Sequence, residues 1–158
     1  MKLNTPRWWY VRDSNHARMT RTALKPLGWV WAAVTARRIA KAVPVDPGCA
    51  VISVGNLTVG GSGKTPVARE TLRLLRAAGV EAQGLSRGYG GRLEGPVRVD
   101  PQIHTADDVG DEPLMLAQGS PVWIARDRVA GAKAAVAEGA QALVLDDGHQ
   151  NPALKKTV

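Results

Sequence analysis

The chain has 158 residues, 44% apolar and 22% charged. That is long enough for one packed core, too short for two generous domains, and too ordinary in composition for a fibrous or disordered protein. A single cysteine, Cys49, excludes an internal disulfide and a cysteine-built metal cluster, and it fits a reducing, cytosolic setting for the globular part.

The net charge of +7 is concentrated at one end. Residues 1–41 carry nine Lys/Arg against one acid, Asp13, whereas the remaining residues carry twelve basic and thirteen acidic side chains. The first segment also holds Trp8, Trp9, Trp29 and Trp31, four of the five tryptophans. Tryptophan favours the boundary between membrane and water, where its ring is buried and its N–H stays wet. The apolar stretch Leu27–Ala36 has only ten residues, half of the ~20 a spanning helix needs, and Arg37, Arg38 and Lys41 follow at once. These features predict an arm, residues 1–48, that lies on a membrane surface with basic side chains on lipid phosphates. A secretory signal fits poorly, because the apolar run starts late and no clean cleavage site precedes the domain. A nucleic-acid-binding arm and a helix docked on the protein's own core are the competing readings; no nucleic acid is expected.

Pro44 and Pro47-Gly48 close the arm, and residues 49–158 follow as a second domain. Ala50–Val54 reads as a buried strand, and residues 55–63 as a glycine-rich turn. Lys64–Ala78 reads as a helix stopped at Gly79, with Val67, Leu72 and Leu75 near helical spacing. Glu81–Leu85 reads as a strand. Residues 86–107 read as loop or short hairpin, with Arg87 on a glycine-loosened segment. Asp108–Gln118 reads as a helix, Pro121–Ala125 as a strand, Asp127–Glu138 as a helix and Ala142–Asp146 as a strand. Alternating strands and helices predict an α/β, P-loop NTPase-like parallel sheet with flanking helices. Ligands in such sheets sit beyond the C-terminal ends of the strands.

Residues 58–65 read TVGGSGKT between a strand and a helix. Thr58, Val59, Gly60, Gly61, Ser62 and Gly63 would wrap phosphates with backbone N–H groups, and the helix start adds partial positive charge. Lys64 would reach the β- and γ-phosphates, and the Thr65 hydroxyl would ligate Mg2+. The general pattern wants glycine where Thr58 stands, so the match lies in the GSGKT core and its setting. Asp146 and Asp147 end an apolar strand, where a P-loop domain holds its metal ion; a polar turn is the competing reading. Asp107, Asp108, Asp111 and Glu112 surround Gly110; one of them could orient an acceptor hydroxyl and take its proton, or all could simply complement a helix dipole. Arg87, Arg126 and Arg128 follow strand ends and are candidate phosphate contacts, with solvated surface arginine as the alternative. His149 has no second ligand at metal spacing.

The blocks VISVGNLTVGGSGKTP (51–66), SRGYGG (86–91), GDEPLMLA (110–117) and LDDGHQNPAL (145–154) occur in this order. Together they resemble the tetraacyldisaccharide 4'-kinases, and the family's usual threonine at position 58 accounts for the departure noted above. The resemblance implies ATP and Mg2+ as cofactors and an acylated glucosamine disaccharide 1-phosphate as acceptor. It implies a location on the cytoplasmic face of the inner membrane. It implies Asp111 as catalytic base, and Glu112, Asp146 and Asp147 as acids near the metal with Thr65. It also implies a longer protein, whose second domain and catalytic histidine lie beyond Val158. The competing readings are a P-loop ATPase switch acting on a protein or nucleic-acid partner and, for this chain alone, an ATP-binding remnant without turnover.

Overall fold

The computed structural model describes residues 15–55, 63–146 and 151–158. The chain divides into two compact units, Met1–Ala42 and Val43–Val158. In the first, helix α1 runs over Asn15–Lys41 and contains Pro26. The helix is therefore much longer than the apolar stretch that suggested it. Trp29 and Trp31 are 72% and 75% exposed, as are Leu27, Val30 and Val34 to lesser degrees. Among the described residues no helix is long and apolar enough to cross a membrane.

The second unit is built on five strands, β1 (Ala50–Val54), β2 (Ala82–Ser86), β3 (Val97–Arg98), β4 (Val122–Ile124) and β5 (Ala142–Asp146), in the order β1-β5-β2-β4-β3. The first four in this order are parallel. The expected parallel sheet with flanking helices is present, and it carries one antiparallel strand at its edge, where Val97 and Arg98 pair with Ile124 and Trp123. Residues 86–107, read as loop or short hairpin, are mostly loop with the short strand β3, which pairs with the distant β4; a two-residue strand has no readable period.

The helices are α2 (Lys64–Ala77), α3 (Ala106–Val109), α4 (Asp111–Ala117) and α5 (Arg128–Ala137). Helix α2 packs on β5 and β2, with α4 beside it on β4. Strand alternation separates the two faces of the sheet. Ala142 and Val144 join Ala68 and Leu72 of α2 in one core, whereas Leu143 and Leu145 join Ala132 and Ala135 of α5 in the other. Such double coverage explains why β5 reads as an unbroken apolar run. The inward stripe of α2 is Thr65, Ala68 and Leu72, spaced for one helical face. Val67, expected in that stripe, is exposed, because the phase is set by Ala68 and Leu72 against the sheet. Gly84 permits that contact: a Cβ there would stand 3.1 Å from Val122 and 3.5 Å from Leu72. On the other face the alanine-rich α5 can sit close because Gly131 faces Ala125 and Leu85.

The helix expected over Asp108–Gln118 is two helices, broken at Gly110, whose φ of 91° and ψ of 154° no helix can hold. The outer edge of β1 is occupied by the last residues of the chain. Thr157 N–H donates to the Val51 carbonyl at 2.8 Å, and Ser53 N–H donates to the Val158 carbonyl at 2.9 Å. Val45 bridges Leu154 beside them.

Candidate functional site

The C-terminal ends of β1, β5, β2 and β4 deliver the predicted residues to one edge of the sheet. Val54, the last residue of β1, is in register with Asp146, the last of β5. Asp146 is 2% exposed. By alternation from Ala142 and Val144 its carboxylate lies on the α2 face. The chain re-enters at Gly63, a left-handed residue that caps α2 without a side-chain hydrogen bond. Lys64 and Thr65 are the first two residues of that helix, and Thr65 is 7% exposed. A lysine, a buried hydroxyl and the backbone N–H groups of the first turn thus stand at a helix N-terminus, one strand away from a buried carboxylate. Thr58, Val59, Gly60, Gly61, Ser62 and Asp147 lie outside the described residues.

Two further loops meet beside this edge. Arg87 follows β2 and is exposed, but the SRGYGG segment that carries it is tied down rather than loosened by its glycines. Arg92 N–H donates to the Asp107 carbonyl and Leu93 N–H to the Asp108 carbonyl, both at 2.9 Å. A Cβ on Gly91 would lie 2.6 Å from the Asp108 carbonyl oxygen, and one on Gly110 would strike the Tyr89 carbonyl. The glycines permit backbone contact between the two loops. Asp111 and Glu112, both exposed, begin α4 immediately after this contact.

The acidic cluster divides by role. Asp108 is the third residue of α3 and closes a capping box with Thr105. Its Oδ2 accepts from the Thr105 N–H at 2.8 Å and from the Thr105 hydroxyl at 2.7 Å. Its Oδ1 accepts from Arg92 Nε at 2.7 Å and contacts Arg92 Nη2 at 2.5 Å. The Thr105 backbone donor, the Thr105 hydroxyl and then Arg92 hold the carboxyl at a pKa of about 2. Asp108 is therefore a fixed anion with its oxygens occupied, which removes it from the candidates for a base. Thr105-x-x-Asp108 is a readable capping signature, and treating the acids as one cluster obscured it. Arg92 had no local signal.

The arginines after β4 also separate. Arg126 is tied to Glu94: its N–H donates to the Glu94 carbonyl at 2.8 Å, and its Nη1 meets Glu94 Oε1 at 2.5 Å. Arg128 is not a surface residue. It is 4% exposed, and its Nη2 lies 3.5 Å from the Asp146 carbonyl oxygen. Between them Asp127 caps α5 through Oδ1, which accepts from the N–H groups of Val129 and Ala130. Among the described residues no group of three or more His, Cys, Asp or Glu side chains converges as a metal site. Thr65 and Asp146 are nonetheless hard oxygen donors, buried at the ends of neighbouring elements, and their chemistry suits Mg2+.

A doubly covered sheet, a Gly-Lys-Thr turn starting its first helix and an acid closing the adjacent strand define a P-loop NTPase-like domain. The family described as Tetraacyldisaccharide-1-P 4'-kinase matches residues 20–158, and the chain belongs to that family. It is 65% identical to the tetraacyldisaccharide 4'-kinase of Caulobacter vibrioides and 62% identical to that of Phenylobacterium zucineum. In each case the match covers all of this chain and 47% of the relative. The crystal structure of the "apo" form of LpxK from Aquifex aeolicus in complex with ATP is similar, with a TM-score of 0.74 and 30% identity. That likeness covers 87% of this chain and 47% of the other. The chain spans about half the length of the curated relatives it matches.

Proposed function

We propose that this chain supplies the ATP-binding half of a kinase that phosphorylates the 4'-hydroxyl of an acylated glucosamine disaccharide 1-phosphate. The observation that carries this reading is the register of Val54 with Asp146, which sets a buried acid beside the strand leading into Gly63, Lys64 and Thr65. Lys64 and the α2 N-terminus bind and orient the β- and γ-phosphates. Thr65 and Asp146, with Asp147 and Glu112 as further acids, would hold Mg2+, which neutralises charge on the phosphates when bound. Asp111 orients the acceptor hydroxyl and receives its proton as oxygen bonds to the γ-phosphorus and the bond to ADP breaks. Arg87, Arg126 and Arg128 are the nearby cations; Arg128 supports the β5 end, and Arg126 must leave Glu94 to meet a phosphate. The exposed tryptophans and basic residues of α1 support docking on a membrane surface at its cytoplasmic face, where the lipid acceptor lies.

The test is transfer of labelled γ-phosphate from ATP to a tetraacyl disaccharide 1-phosphate in detergent micelles. The chain is compared with a form extended at its C-terminus to the relatives' length and with Lys64→Ala in that form. Label in the lipid from the extended form, and none from Lys64→Ala, supports the reading. A folded, ATP-binding extended form that labels no lipid would overturn it.

A further inference from the structure

We infer that Arg92 and Thr105 are positioning residues: together they clasp Asp108 and thereby hold Asp111 and Glu112 where the chemistry needs them. The inference rests on the proposed kinase reading and extends it to two residues outside the motifs.

Asp111 and Glu112 have no anchor of their own among the described hydrogen bonds. Their position follows from the backbone immediately before them. Gly110 turns the chain between α3 and α4, and its N–H donates to the Ala106 carbonyl at 2.8 Å. Helix α3 has only four residues, too few to be stable from its own hydrogen bonds. Val109 anchors its end in the core, and the clasp at its third residue fixes its start. Arg92 reaches Asp108 Oδ1 from the SRGYGG side, with Nε and Nη2 gripping side-on. Thr105 reaches Oδ2 from the helix start with both its N–H and its hydroxyl. The Arg92 and Leu93 N–H groups add two backbone bonds to the same segment. The clasp thus couples the loop after β2 to the start of α4, which bears the proposed base.

Arg92 is largely solvent-exposed, so its ion pair adds little to global stability. Its value is geometric. A small misplacement of a reacting group is costly to rate even where stability is unaffected. Helix α2 rests mainly on β5 and β2, so loss of the clasp should leave ATP binding largely intact.

Two measurements test this. In the extended protein, Arg92→Gln and Thr105→Val should each lower kcat roughly tenfold while leaving KM for ATP within about twofold. Thr105→Ser, which keeps the hydroxyl, should restore kcat. Unchanged kcat in both Arg92→Gln and Thr105→Val would overturn the inference. In this chain, Arg92→Gln should speed amide hydrogen exchange at residues 109–114 roughly tenfold without altering residues 67–72. If the unsubstituted extended protein transfers no phosphate, the kinase reading falls and exchange alone decides the clasp. Unchanged exchange at 109–114 would then overturn it.

Discussion

The carbonyl of Tyr89 packs directly against Cα of Gly110, leaving no room for a side chain between the loop after β2 and the turn before α4. Gly110 also holds φ at 91°, which an L side chain rarely adopts. Gly110→Ala should therefore meet both steric and torsional cost, about 2–3 kcal/mol of stability. Gly90→Ala faces open space and meets only the torsional part, about 1 kcal/mol. Urea unfolding of the two variants measures the difference, and equal losses would show that the loops are not in contact.

Lys64 opens α2 at the proposed phosphate site. With ATP at a hundredfold excess over Kd, the unsubstituted chain should gain about 2.7 kcal/mol of stability. Lys64→Ala should abolish most of that gain, read as the difference between melting temperatures with and without nucleotide for each form. Thermal shift with and without ATP and Mg2+ reads both numbers.

Acid stability should report the clasp. The Asp108 carboxyl titrates at about 2 when folded and near the ordinary carboxylate value when unfolded. Because its folded pKa is lowered, the stabilisation is complete above about pH 4 and is lost as pH falls from about 4 to about 2. Asp108→Asn should reduce stability at pH 6 and flatten its dependence between pH 4 and pH 2. Denaturant midpoints across that range check the slope.

Trp123 and Gln83 form a buried polar pair in the core. Trp123 Nε1 donates to Gln83 Oε1 at 2.8 Å, and Gln83 Nε2 lies 3.4 Å from the Glu138 carbonyl, tying β4, β2 and the end of α5. Gln83→Ala strands the indole N–H and should cost about 1–3 kcal/mol. Gln83→Glu keeps an acceptor but buries a charge, so its loss should shrink as pH is lowered towards protonation of the carboxyl. Chemical denaturation at pH 5 and pH 8 compares the two variants.

The arm makes a separate prediction. Trp29→Ala with Trp31→Ala should weaken binding to anionic lipid vesicles by roughly tenfold or more, because two large rings no longer leave water. Co-sedimentation with vesicles at several salt concentrations measures it. Equal binding by the double variant would remove the membrane reading of α1.

Much of this molecule was written locally. The strand Ala142–Asp146 announced itself by a nearly unbroken apolar run, because it is buried on both faces, whereas Ala50–Val54, expected to be buried, lies at the sheet edge and is only partly so. The Gly-Lys-Thr turn is chemistry confined to adjacent residues, so spacing alone placed it at a helix start, and four ordered blocks were enough to indicate the family. Everything that required two distant segments to meet came from the tertiary structure. Asp108 became a cap instead of a candidate base because Thr105 and Arg92 saturate its oxygens. Arg128, a candidate phosphate contact in the sequence, lies buried beside the Asp146 carbonyl because α5 begins against the end of β5. Gly91 of SRGYGG proved to be a contact point, since it admits the Asp108–Gly110 backbone as Gly110 admits that of Tyr89. The antiparallel strand Val97–Arg98 exists only through its pairing with β4. A sequence encodes propensities residue by residue, whereas saturation of a carboxylate, burial of an arginine and contact between backbones depend on which segments the sheet order brings together.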